Sequence, residues 1–202
     1  MTRGAPRPAV RAATAFDMLD FLDVAHPGSR ERIWTRIPEE SRAYMEQVNR
    51  MGWIDLEHDH WLPDSIAAEF GVEASLELFR ASIPQHVQKP LLEPFVMGMM
   101  RVLGKRRARI LNIIPKALPL VFRDFFEPTL RSFDEGARTE IRLESIPAAV
   151  REFPIYYTMW EGVFRGVLDL IDIGVDALEF RVAPGREGAT ATFDLSSLGG
   201  IR

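Results

Sequence analysis

Cysteine is missing altogether from this 202-residue chain. Without a thiol there is no disulfide, thiolate zinc site, iron–sulfur cluster or cysteine nucleophile. Histidine is scarce, at four residues: His26, His58, His60 and His86. No run reaches the roughly 18 consecutive apolar residues that a membrane-spanning helix needs; the stretch 91–103 is broken by Glu93 and Arg101. Residues 1–11 hold three arginines and two prolines but no hydrophobic segment of the kind a secretory signal requires. They read as a flexible basic tail, residues 12–198 as one domain, and the chain as cytoplasmic. Also missing are a G-x-S-x-G elbow, a phosphate loop, a dinucleotide fingerprint and an H-E-x-x-H helix, so no enzymatic activity is expected. Glu161 and Asp169 are no catalytic pair: eight positions along a helix separate them by about 12 Å.

The residues present are those of an ordinary globular protein, 47% hydrophobic and 27% charged. The net charge of −4 conceals an asymmetry. Residues 101–131 carry +6 and the tail +3, which leaves −13 elsewhere. Lys105, Arg106, Arg107 and Arg109 form a basic run that is a candidate anion-binding site, with a solvated helix face as its ordinary alternative. The run has no interleaved aromatics and the pI is near 5.6, which speaks against nucleic acid.

Helical patterning fills the first two-thirds. Amphipathic segments over 12–24, 38–51, 64–82 and 91–103 are punctuated by Gly28, Gly52, Gly71, Pro84 and Gly104. Residues 53–57 alternate and read as a short extended piece. Residues 105–126 read as two further helices broken by Pro115, Pro119 and Pro128. From Thr139 the period becomes two: 139–144 is a strand, 155–171 a core-facing helix, and 177–183 with 189–195 a β-hairpin around the loop 184–188. The order gives an α+β domain, a helical N-terminal two-thirds packed on a small antiparallel sheet with a C-terminal strand–helix–β-hairpin.

Three groups of side chains stand out. Met97, Met99 and Met100 surround Gly98, and Phe122, Phe125, Phe126 and Phe133 join Tyr156, Tyr157 and Trp160 as aromatic wall material. Core filling would use the same residues; as a ligand site the candidates are Met97, Met100, Phe122, Phe126, Tyr157 and Trp160. Gly162 and Gly166 lie one turn apart on one helix face. Glycine in a helix costs about 1 kcal/mol against alanine, so a close neighbour, either within the domain or across a dimer seam, should compensate. His58 and His60 would share one face of a strand and could hold a metal with Asp55 or Glu57, but two imidazoles do not make a site, and a polar turn is the expected reading.

The segment Trp160-Glu161-Gly162-Val163-Phe164-Arg165-Gly166-Val167-Leu168 resembles the glycine-rich helix of the 4-vinyl-reductase-type domain, and the hairpin after it resembles that domain's closing strands. The same broad fold includes haem–nitric-oxide-binding sensors and small subunits of the TRAPP vesicle-tethering complex. Over nearly the whole length the chain resembles an uncharacterised family of about 200-residue myxobacterial and deltaproteobacterial paralogues, through residues 30–38, Met51-Gly52-Trp53-Ile54, residues 91–103 and Phe122-Arg123-Asp124. The resemblance implies a fold that often encloses a small apolar ligand or forms dimers; it implies no activity. The closing hairpin lacks the cysteines that can hold zinc in the 4-vinyl-reductase-type domains, and no Tyr-x-Ser-x-Arg frame of the haem sensors occurs, which argues against haem. The cysteine that is acylated in the tethering subunits is also missing, while a non-covalent lipid remains compatible. The resulting expectation is a non-catalytic sensor or adaptor, without cofactor or metal, that binds a small apolar ligand, a lipid or a protein partner, as a homodimer. The alternatives are a scaffold module with a filled core and an enzyme with an unrecognised site.

Overall fold

The structure, a computed structural model, describes residues 7–103, 111–133 and 137–196, with the backbone alone at 99–103 and 175. The chain starts on β1 (Ala9–Arg11), then α1 (Ala12–Ala25), α2 (Ser29–Arg36), α3 (Glu39–Gln47), β2 (Trp53–Asp55), α4 (Leu56–Asp59), α5 (Trp61–Phe70), α6 (Val72–His86) and α7 (Glu93–Leu103). Next come α8 (Ile114–Val121), β3 (Phe122–Arg123), β4 (Glu127–Phe133), β5 (Arg138–Glu144), α9 (Ala148–Arg151), α10 (Ile155–Leu170), β6 (Leu178–Val182) and β7 (Ala189–Asp194). Helices dominate the first two-thirds and strands the C-terminal part, as the periodicity predicts. Among the described residues no helix is long and apolar enough to cross a membrane.

Two antiparallel sheets stand where one was expected. The larger has the order β4-β5-β7-β6, with Ile141 opposite both Leu130 and Ala191. The smaller has the order β2-β1-β3, with Val10 opposite both Ile54 and Phe122. Residues 9–11 therefore leave the expected basic tail and become the central strand of a sheet, with Ala9 and Val10 buried. Three residues are too few to show a period, and both partners lie far along the chain.

Residues 127–133, for which the sequence predicts no element beyond the break at Pro128, form β4. This is an edge strand, the place in a sheet where proline's missing N–H costs least. Pro84, expected to end a helix, lies inside α6, two residues before its end.

The core has two parts. One gathers Phe125, Tyr156, Trp160, Phe164 and Phe193 between α10 and the inner face of the larger sheet. The other gathers Leu19, Leu22, Ile33, Ile37, Met45 and Ile66 among the N-terminal helices. Met159 packs against both. The seam between the halves is the packing of α6 on α10, and the glycines of α10 make it possible. A Cβ on Gly162 would stand 2.7 Å from the Leu76 carbonyl oxygen, and one on Gly166 2.5 Å from that of Arg80. The close neighbour expected for these two positions is thus another helix of the same chain. Gly71, at φ +86°, turns the chain from α5 into α6 in a conformation that side chains other than glycine rarely adopt.

Candidate functional site

A cavity of about 180 Å³ lies at this seam. Its walls come from α1 (Ala15, Met18), α5 (Leu62, Ile66), α6 (Phe79, Ile83), α8 (Ile114, Leu118), Phe122 of β3 and α10 (Met159, Val163, Val167). Each helix supplies residues three or four positions apart, the spacing that places them on one face. The volume slightly exceeds the about 150 Å³ of an apolar cavity that binds benzene and stays dry, and falls short of the roughly 300 Å³ at which drug-sized pockets begin. It suits a single small apolar body.

Among the described residues four polar ones reach the lining: Thr14, Asp59, Ser82 and His86. The Ser82 hydroxyl donates to the Phe79 carbonyl at 2.8 Å. His86 is buried, with Nδ1 2.9 Å from the Ser82 carbonyl and Nε2 3.4 Å from that of Thr14. Both ring nitrogens are turned onto backbone oxygens, so neither is presented to the cavity. Asp59 differs. It sits at the end of the one-turn helix α4, 3% exposed, and accepts a 2.6 Å hydrogen bond from the Tyr156 hydroxyl on Oδ2. Burial pushes its carboxyl up to about 7, against the opposing pull of the Tyr156 hydroxyl. The same burial, with the neighbouring Asp59 charge, raises the Tyr156 phenol.

The structure distributes the expected ligand residues unevenly. Phe122 is in the cavity wall. Trp160 and Tyr157 are buried behind it, in an aromatic cluster where Phe126 and Tyr157 each meet the Trp160 ring at 5.1 Å and Phe122 meets it edge-on at 6.4 Å. These three touch the cavity through Phe122 rather than directly. Met97 is 49% exposed on α7, while its neighbour Val96 lines the cavity. The Met100 side chain and the basic run Lys105, Arg106, Arg107 and Arg109 lie outside the described residues.

His58 and His60 sit on helical rather than extended backbone. His58 stacks on Tyr44 at 4.0 Å and meets Ser41, while His60 stacks on Phe153 at 4.1 Å and meets Asp64. They point to different partners, and no group of three or more possible metal ligands occurs among the described residues. Asp169, about a third exposed, is the bidentate partner of Arg80 on α6.

The walls on α1, α5 and α6 escaped the sequence reading. Their apolar faces are visible as periodicity, but nothing local separates a face that meets a cavity from one that meets solid core. Asp59 was hidden in the polar string 57–60. Its one signal is an acid between Leu56 and Leu62, on the apolar side of an otherwise hydrophilic turn.

Neither a family model nor a curated protein matches this chain. A solved structure does: that of an Fe(II), unliganded H-NOX protein variant from K. algicida, superimposing with a TM-score of 0.54 over 91% of this chain and 95% of that one, at 9% sequence identity. At that identity the likeness is one of architecture, and the chain has an H-NOX-like fold.

Proposed function

We propose that this protein is a non-catalytic sensor or adaptor that takes a small apolar molecule into the cavity at the α6–α10 seam. The observation that carries this reading is the cavity itself, about 180 Å³ with almost wholly apolar walls, in a fold shared with an H-NOX protein. A scaffold module with a filled core would place side chains in that space. Catalysis would need ionisable groups converging on a reacting atom; the described lining offers Asp59 with Tyr156 behind it, and His86 engaged by its own backbone.

Haem does not suit the described lining. His86 has both ring nitrogens against carbonyl oxygens, and no lysine or arginine among the described lining residues could meet a propionate. The kinship with 4-vinyl-reductase-type domains and tethering subunits belongs to the same proposal, resting on the Gly162–Gly166 helix and the hairpin after it. So does a homodimer, for which the edges β4 and β6 of the larger sheet offer pairing positions.

Native mass spectrometry of freshly purified protein, repeated under denaturing conditions, tests the reading. A mass excess that disappears on denaturation is expected. A clean apo mass, together with no binding of small hydrocarbons to the purified protein, would overturn it, and the native mass reports the oligomer directly.

A further inference from the structure

Among the described lining residues Asp59 is the buried acid, and the chain meets one of its two oxygens. A carboxyl offers two oxygens and about four acceptor sites. Among the described residues Asp59 uses one oxygen, for the Tyr156 hydroxyl, while lying at 3% exposure against an apolar cavity. No lysine or arginine among the described lining residues compensates it. The charged and titratable groups nearest along the chain are turned elsewhere: His60 meets Asp64, and His58 meets Ser41. A buried carboxyl with spare acceptors costs stability unless something meets it. A leucine there would fill the volume but leave the buried Tyr156 hydroxyl without its acceptor; Tyr156 accounts for one carboxyl oxygen, and the other remains to be explained.

We propose that Asp59 is the polar anchor of the cavity, accepting a hydrogen bond from the hydroxyl of a small, otherwise apolar molecule, an aryl or short branched alcohol. This rests on the ligand-binding reading above and names the chemical class of the ligand. Tyr156 is the positioning residue: its hydroxyl fixes Oδ2 and thereby the orientation of the carboxyl. The cavity supplies affinity through apolar contact and Asp59 supplies selection. The energetic weight of such selection is asymmetric, because a hydroxyl buried without a partner costs more than a satisfied one gains.

Benzyl alcohol and toluene, nearly equal in size and differing by one hydroxyl, are titrated by calorimetry into the full-length wild-type protein and into Asp59→Leu. The ratio of the two dissociation constants should move by about tenfold or more against benzyl alcohol in the variant, with toluene affinity unchanged or improved. A ratio that stays within threefold while toluene binds overturns the anchor and leaves the ligand-binding reading intact. Failure of both probes to bind wild type overturns both. Should Asp59→Leu not fold, the probes are added to wild-type protein carrying carboxyl-labelled aspartate, with the Asp59 signal assigned by its loss in Asp59→Asn. That signal should shift with benzyl alcohol and not with toluene; an equal response to the two, or none, overturns the anchor.

Discussion

Arg80 and Asp169 meet across 89 residues in a two-pronged contact, Nε to Oδ2 at 2.7 Å and Nη2 to Oδ1 at 2.9 Å. The pair sits beside the glycine face of α10 and clips that helix to α6 next to the cavity. Both side chains remain about a third exposed, so water screens the attraction. Asp169→Asn should therefore cost only about 1 kcal/mol or less in chemical denaturation, despite ideal geometry. A loss of 3 kcal/mol would mean that the pair, and not the apolar packing beneath it, holds the seam.

The packing beneath is the stronger term. Gly166→Ala gains about 1 kcal/mol of helix propensity, but its Cβ would stand 2.5 Å from the Arg80 carbonyl oxygen and 2.6 Å from Ile83 Cγ1. A backbone oxygen cannot swing aside, so the helices must separate, at a cost of about 1–3 kcal/mol for overpacking. The net expectation is destabilisation. Gly98 is the control: it is helical, exposed and has nothing within 4 Å of a built Cβ. Gly98→Ala should raise Tm where Gly166→Ala lowers it. Equal effects of the two would remove the close approach of α6 and α10.

These glycines also show what a sequence can disclose. Two glycines one turn apart in an amphipathic helix violate local propensity, and such a violation announces a tertiary neighbour. The C-terminal strands and the helix Ile155–Leu170 were legible for a similar reason, since their periods of two and 3.6 are local. Strand β1 was not, because its stability lies in pairing with Ile54 and Phe122, and three residues carry no period. Strand β4 was masked by Pro128, which punctuates a helix and an edge strand equally well. The cavity was least legible: its wall runs from Val10 to Leu170, and each contributing residue looks like ordinary core until the others surround it. The reading of Met97, Met100, Phe122, Phe126, Tyr157 and Trp160 as ligand residues rests on composition alone. Of these candidates Phe122 reaches the wall, and the methionines that do so are Met18 and Met159, which no local cluster marked.

Asp59 gives the protein a pH signature. Its carboxyl rises from 3.8 to about 7 on folding because burial disfavours the charge. Between those values the unfolded chain has lost the proton and the folded chain keeps it. The folded state then binds more protons, and stability falls as pH rises through the window from about 4 to about 7. At about 1.4 kcal/mol per pKa unit, the loss between pH 5 and pH 8 is on the order of 2–3 kcal/mol, or about 5–10 °C in Tm. Glu69, held low chiefly by Arg32 and Arg36, and Asp194, held low by Ser196, act in the opposite sense, at pH below the ordinary carboxyl range. Asp59→Asn keeps an oxygen for Tyr156 and should flatten the profile between pH 5 and 8. A wild-type profile already flat there, or a slope that survives the substitution, would contradict the assignment.

The cavity can be probed by filling it. Ala15 is buried on α1 and lines the space, while Ala12, three positions earlier on the same helix, is fully buried without lining it. Adding three carbons at Ala12 forces them into close-packed neighbours, and Ala12→Leu should cost about 1–3 kcal/mol, several degrees of Tm. At Ala15 the same carbons enter empty volume. The side chain buries apolar surface instead of displacing atoms, so Ala15→Leu should hold Tm within a few degrees of wild type or raise it. It also occupies part of about 180 Å³, a space already close to the size of its proposed occupant. Toluene affinity should therefore fall by about tenfold or more in Ala15→Leu, with the fold intact by circular dichroism. Equal destabilisation by the two leucines would show solid core at both positions. Retained toluene binding in a folded Ala15→Leu protein would place the ligand elsewhere. The two alanines thus separate a hole from a packed interior by measurements that do not require knowing the natural ligand.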